Sequence, residues 1–258
     1  MALVGDRVGK AESDGEQFAA PSSAGATSTE FMEVGSSGLA QQSGYVREEF
    51  LTSLQGRDGA ATFREMADND PVVGAILHTI DLLMRGCEWI VEPADVNSQQ
   101  ANDQAAFIGA ALNDMSDSWE DTISQIMSML VYGWSLHEIV YKERRGISDD
   151  PQMRSKFDDG LIGWRKLAIR SQDTLQRWEF DEAGGIQGMW QFDPYANKGT
   201  VLIPIQKALL FRTTARKGDP EGRSVLRNAY VPWYYKRRIS EIEAIGVERD
   251  LAGLPVAY

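Results

Sequence analysis

One cysteine, Cys87, in 258 residues excludes an intrachain disulfide. Only His78 and His137 stand beside it, too few ligands for a Cys/His zinc site. Positive charge is scarce: 26 Lys and Arg against 38 Asp and Glu leave a net charge of −12. A uniformly basic nucleic-acid binder is thereby excluded, while a local basic patch stays open. No window of 18 apolar residues exists to cross a bilayer as a helix. No cationic stretch followed by an apolar run opens the chain, so no signal peptide is expected. The expectation is a soluble protein of a reducing compartment. The first 44 residues lack Trp and Tyr and hold seven Gly, seven Ser and seven Ala. Such a segment buries too little apolar surface to offset its ordering entropy, so residues 1–45 are expected to form a disordered arm.

The rest has the makings of a core. The chain is 43% apolar and 25% charged, enough for one large domain or two small ones. Asp70-Pro71 is a helix start, with Asp70 as N-cap and Pro71 at the first position, where its missing N–H costs nothing. Val73, Ile76, Leu77, Ile80, Leu83 and Met84 then recur at helical spacing and predict a buried stripe. Cys87–Glu92 reads as a strand stopped by Pro93. A polar helix over 98–115 follows, then a helix capped by Ser118 with Asp121 three residues on, carrying Ile123, Ile126, Met127, Leu130 and Val131 and ending at Gly133. Leu136–Lys142 is a strand, and 144–159 a polar insertion. Short strands at 161–169, 175–180, 186–192, 201–205 and 208–211 alternate with turns, Gly184-Gly185 marking a hairpin. Ser224 caps a last helix running to about Asp250, in which Pro232 should make a kink or a split. Its stripe of Ile239, Ile242 and Ile245 is narrow, and the remaining faces are charged, so the helix should pack on something outside its own domain. Charge follows the same division: residues 1–204 hold 16 basic against 32 acidic side chains, residues 205–258 hold 10 against 6. The fold class is α+β.

Catalytic signatures are incomplete. Gly218–Ser224 is one residue short of a phosphate-binding loop, with Arg223 where the lysine belongs. Gly133-Trp134-Ser135-Leu136-His137 lacks the second glycine of a nucleophile elbow. Asp149, Asp150, Asp158 and Asp159 are either a solvated face or metal ligands for phosphodiester chemistry, which keeps a metal-dependent DNA-processing enzyme as the alternative function. Trp89, Trp134, Trp164, Trp178 and Trp190 adjoin strands and are expected in the core. The run Lys236-Arg237-Arg238 either pairs along its own helix with Glu241 and Glu243 or touches phosphate or an acidic neighbour.

Several blocks in succession resemble the portal proteins of tailed bacteriophages, nearest the branch that includes Mu-like phages. They are Asp68-Asn69-Asp70-Pro71-Val72-Val73-Gly74-Ala75-Ile76, Glu88–Pro93, Tyr132–Tyr141, Gly222–Arg227 and Glu248–Pro255, in that order over roughly residues 60–258. The resemblance implies no enzyme and no cofactor or metal. It implies a homo-oligomeric ring of about twelve subunits at the capsid vertex (closed cyclic symmetry), with double-stranded DNA passing through its channel. Implied partners are the terminase large subunit, the major capsid protein and a head-completion or adaptor protein. The implied setting is the virion, and the host cytoplasm during assembly. Residues 46–220 would be an α+β wing-like body of helices and mostly antiparallel short strands. Residues 221–258 would be a long kinked stem-type helix and the start of a clip whose remainder is absent. Lys236, Arg237, Arg238, Glu241, Glu243 and Glu248 would lie between subunits or face DNA.

Overall fold

The computed structural model describes residues 35–193, 199–251 and 253. Most of the expected arm falls outside these residues. Its last part does not: β1 (Gln41–Gln42) pairs with β2 (Tyr45–Val46), and the Gly44 carbonyl accepts from the Trp178 N–H at 2.8 Å. Regular structure therefore starts ahead of Tyr45, because Gly44, at a φ of 85°, can come close to the Trp178 carbonyl where a Cβ would be 2.1 Å away.

Four helices follow: α1 (Gly56–Asn69), α2 (Pro71–Arg85), α3 (Gln99–Asn113) and α4 (Trp119–Tyr132). The caps at Asp70 and Ser118 are those expected, and Ser98 adds a third. Asp70 accepts from the N–H groups of Val72 and Val73, Ser98 from Ala101, and Ser118 from Asp121. α4 ends at Gly133, whose φ of 96° puts it in the left-handed region.

The strands form two three-stranded antiparallel sheets. β3 (Trp134–Arg145) lies between β4 (Asp158–Arg170) and β8 (Ala208–Arg212); β6 (Ile186–Phe192) lies between β5 (Leu175–Phe180) and β7 (Thr200–Pro204). Leu136 sits opposite Arg170 on one side and Leu210 on the other. The two sheets supply one core: Trp134, Leu136 and Ala208 from the first, with Leu175, Trp178, Met189 and Ile203 from the second. Trp134 and Trp178 meet edge to face at 5.1 Å, an arrangement favoured by the ring quadrupoles. Trp164 and Trp190 are half-buried, and Trp89 lies on the surface.

A second core joins the helices to the last part of the chain: Leu54, Phe63, Met66 and Leu226, with Val73, Leu77, Val131, Tyr230 and Trp233 against them. Two expectations fail around it. α2 has no buried residue, and Ile76 and Leu83 of its predicted stripe are 56% and 66% exposed. Only the side carrying Val73 and Leu77 has α1 and α4 against it. Residues 87–92 form no strand, because among the described residues no strand lies beside them to make a ladder.

The predicted insertion at 144–159 is shorter than expected. β3 runs on to Arg145 and β4 begins at Asp158, so the two strands take two residues at each end and residues 146–157 connect them. The base of this hairpin is fixed by a buried ion pair between Lys142 and Asp114, 3.0 Å apart, each side chain at most 3% exposed. Lys142 also donates to the Arg154 carbonyl, and the Asp114 carboxylate accepts from the Ser155 hydroxyl and the Lys156 N–H at 2.7 Å each. Burial pushes the Asp114 carboxyl up, but these three partners outweigh it and hold the group below its ordinary range.

Candidate functional site

The sequence singled out the last helix, and the structure gives it a root and a free shaft. The root is a 3₁₀ segment, Val225–Ala229, opened by the Ser224 hydroxyl, which accepts from the Leu226 N–H at 3.1 Å. α5 (Tyr230–Leu251) then begins, with Pro232 in its first turn. The expected split thus falls ahead of Pro232. A first-turn N–H has no helical partner to lose, so the proline sits where it is tolerated.

The root is tied down on several sides. The Arg227 guanidinium pairs with both Glu49 carboxylate oxygens, at 2.6 and 2.7 Å. Burial alone would raise the Glu49 pKa, but Arg227 and the Leu51 N–H hold it lowered. The preceding turn presses on the end of α4: a Cβ on Gly133 would lie 2.4 Å from the Glu221 carbonyl, and one on Gly222 would lie 2.5 Å from the Gly133 carbonyl. Thr213 Oγ1 bridges the two segments, donating to the Arg223 carbonyl at 2.6 Å and accepting from the Arg223 N–H at 3.1 Å. The stretch with an incomplete phosphate-loop pattern is thus this turn and the cap that follows it.

Glu221 is the side chain that sequence reading missed. It lines three adjoining clefts, the two larger of about 280 and 500 Å³, yet protein surrounds its carboxyl on nearly all sides. Its Oε1 accepts from the Trp178 indole N–H at 3.2 Å. Burial, reinforced by the nearby Asp219 charge, pushes its pKa up to about 7. Asp219 is raised as well, chiefly by burial and then by Glu48. Nothing local in the sequence distinguishes Glu221 from any other turn glutamate; its environment comes from the strand carrying Trp178.

Of the six residues marked on the helix, three basic ones are engaged within the chain. Lys236 Nζ lies 2.7 Å from Asp70 Oδ2, so the N-cap of α2 also anchors α5. This contact, more than the two cap N–H groups, holds the Asp70 carboxyl lowered. Arg237 pairs with Glu65 of α1 at 2.5 Å and with Glu241 at 3.2 Å; Arg238 pairs with Glu241 at 3.1 Å. Glu243 and Glu248 have no ion-pair partner among the described residues. Ile239, Ile242 and Ile245 are 54–69% exposed, and no residue of α5 is buried.

Two of the four acidic residues weighed as metal ligands, Asp150 and Asp159, serve local structure. Asp150 caps the 3₁₀ turn at Pro151–Met153, and Asp159 pairs with Arg144 at 2.9 Å while accepting from the Leu161 N–H. Among the described residues no group of three or more His, Cys, Asp or Glu is placed to hold a metal. Ser135 donates to the Ile126 carbonyl. His137 is fully buried and its Nδ1 donates to the Leu167 carbonyl at 3.2 Å; burial lowers its pKa, so the ring is neutral at pH 7.

Residues 60–257 match the family model described as the portal protein of Mu bacteriophage. A solved structure titled "Neck of empty GTA particle computed with C6 symmetry" contains a similar chain, 12% identical, with a TM-score of 0.49. The match covers 76% of this chain and 48% of that one, so this chain spans about half the length of that relative.

Proposed function

The chain belongs to the family of portal proteins of Mu bacteriophage, and on that premise we propose that it is a subunit of the ring at the capsid vertex through which double-stranded DNA is packaged and ejected. The single observation that carries this reading is α5: 22 residues with no buried side chain, rooted in the core by Leu226, Tyr230 and Trp233 and bare beyond. A helix held firmly at one end with an uncovered apolar stripe needs neighbours, and a ring supplies them on both sides. In this reading neighbouring shafts pack through Ile239, Ile242 and Ile245, while Glu243 and Glu248 meet basic groups of the next copy or face the channel. The body's excess of acid suits a conduit, since neutralised phosphates are what hold DNA tightly. The reading extends to about twelve copies, to the capsid protein, terminase and head-completion protein as partners, and to assembly in the host cytoplasm.

The stripe gives the test. Each isoleucine that becomes fully buried contributes about 1.5–3 kcal/mol. Replacing Ile239, Ile242 and Ile245 together by Gln keeps good helix formers and leaves every ion pair of α5 in place. Sedimentation should show self-association weakened at least tenfold with an unchanged melting temperature. Negative-stain images of the wild type should contain rings with a central hole. A variant that associates as the wild type does would overturn the reading, as would magnesium-dependent cleavage of plasmid DNA by the wild type.

A further inference from the structure

The outer face of α2 and the segment after it form a second uncovered surface, remote in sequence from α5. Val72, Ile76 and Leu83 follow one another at helical spacing and are 56–66% exposed. Trp89, Ile90 and Val91 continue the apolar surface in extended chain. Trp89 is fixed there: its indole N–H points to the Met84 carbonyl at 3.4 Å, and its ring meets Trp119 edge to face at 6.1 Å. Among the described residues, the backbone N–H groups of Glu88 through Glu92 make no hydrogen bond. An extended apolar segment with free donors and acceptors is a template for pairing with another chain.

We infer that this surface, α2's outer stripe with residues 88–92, is a contact made with a neighbouring copy of this chain. The inference rests on the ring reading. Area favours a folded protein partner: the six apolar side chains expose on the order of 600 Å², against ~800 Å² in all from each partner of a stable interface. A monomer rarely leaves such a patch bare. Symmetry favours a copy. A closed ring of one chain joins two different faces of each subunit, so an α5 stripe alone leaves the bodies unjoined. Lys236 fixes α5 to the N-cap of α2, so shaft and patch are held in one frame and meet the neighbour together.

The test is the double variant Ile76→Glu, Leu83→Glu in the full chain. Glutamate is a good helix former, and neither position is buried, so the subunit should keep its melting temperature and circular dichroism. Sedimentation should show association weakened at least tenfold. Hydrogen exchange in the assembled wild type should slow at residues 88–92 relative to the dilute subunit. A double variant that assembles like the wild type, while the α5 glutamine variant does not, would overturn this contact and leave the ring standing. A wild type that stays monomeric at all concentrations would overturn both. Residues 88–92 protected in that monomer would mean that the chain's own remaining residues cover the patch.

Discussion

Replacing Asp114 by Ala is expected to destabilise the chain by about 3–5 kcal/mol, because it strands the Lys142 ammonium in the interior. The loss is a large share of the ~5–15 kcal/mol that holds a typical domain folded. Lys142 would keep the Arg154 carbonyl as an acceptor, but no counter-charge would remain. Three segments would lose their common tie: the C-cap of α3, the base of the β3–β4 hairpin, and the turn bearing Ser155 and Lys156. Asp114→Asn keeps an acceptor and should cost less. Asp114→Leu combined with Lys142→Met should recover most of the loss, since the buried charge goes with its partner. Urea unfolding of the wild type, Asp114→Leu, Lys142→Met and the double variant measures the pair as a double-mutant cycle. The pH sign is fixed by the lowered Asp114 pKa: its contribution is present above the unfolded value near 3.8 and disappears as pH falls through the lower folded value. Equal stability of Asp114→Ala and the wild type would show that the pair contributes nothing.

Glu221→Gln should act in the opposite sense, stabilising the chain by about 2 kcal/mol at pH 8 and by little at pH 5. The folded carboxyl titrates at about 7, above its ordinary 4.5. Below 4.5 both states hold the proton. Between the two values only the folded state holds it, so wild-type stability falls as pH rises; above 7 the fall is complete. Glutamine has nothing to ionise, keeps a carbonyl for the Trp178 indole, and relieves Asp219 of a neighbouring charge. The full linkage would be about 3 kcal/mol, reduced here because the adjoining clefts admit water. Unfolding in urea from pH 5 to 8 measures the difference. A gap that does not widen across this range would show that Glu221 ionises without penalty.

The two residues also mark what could be read from the sequence. Asp70 and Ser118 were legible as caps because capping is decided within four residues. The bounds of β5 and β6 were legible because Gly184-Gly185 and flanking turn residues punctuate them. The stripe on α2 was legible as apolar but not as bare, since periodicity says which side chains share a face and not what covers it. Residues 87–92 carry strand chemistry, yet a strand exists only beside another, and that partner is not a local property. Lys142 and Asp114 lie 28 residues apart, and Glu221 owes its environment to a tryptophan 43 residues away. Neither pairing leaves a mark in spacing. On the marked helix spacing puts the charged residues on equal standing, while the fold divides them: Lys236 and Arg237 clamp α5 to α2 and α1, and Glu243 and Glu248 lie beyond the clamp.

That clamp makes α5 a lever. Its fulcrum is at Lys236 and Arg237, and 14 residues project past them, roughly 21 Å at 1.5 Å per residue. A tilt of about 10° at the fulcrum carries the far end through about 4 Å, by the same helical rise. Residues near the short arm, including the Glu49–Arg227 pair and the Gly133–Gly222 approach, would move far less for the same rotation. A load applied at the tip is therefore felt at the root with mechanical advantage, on a joint where the packed rings of Tyr230 and Trp233 are joined by two ion pairs with exposed basic partners. High salt screens the two ion pairs, so the angle at which the helix leaves the body loosens with ionic strength while the helix itself stays rigid.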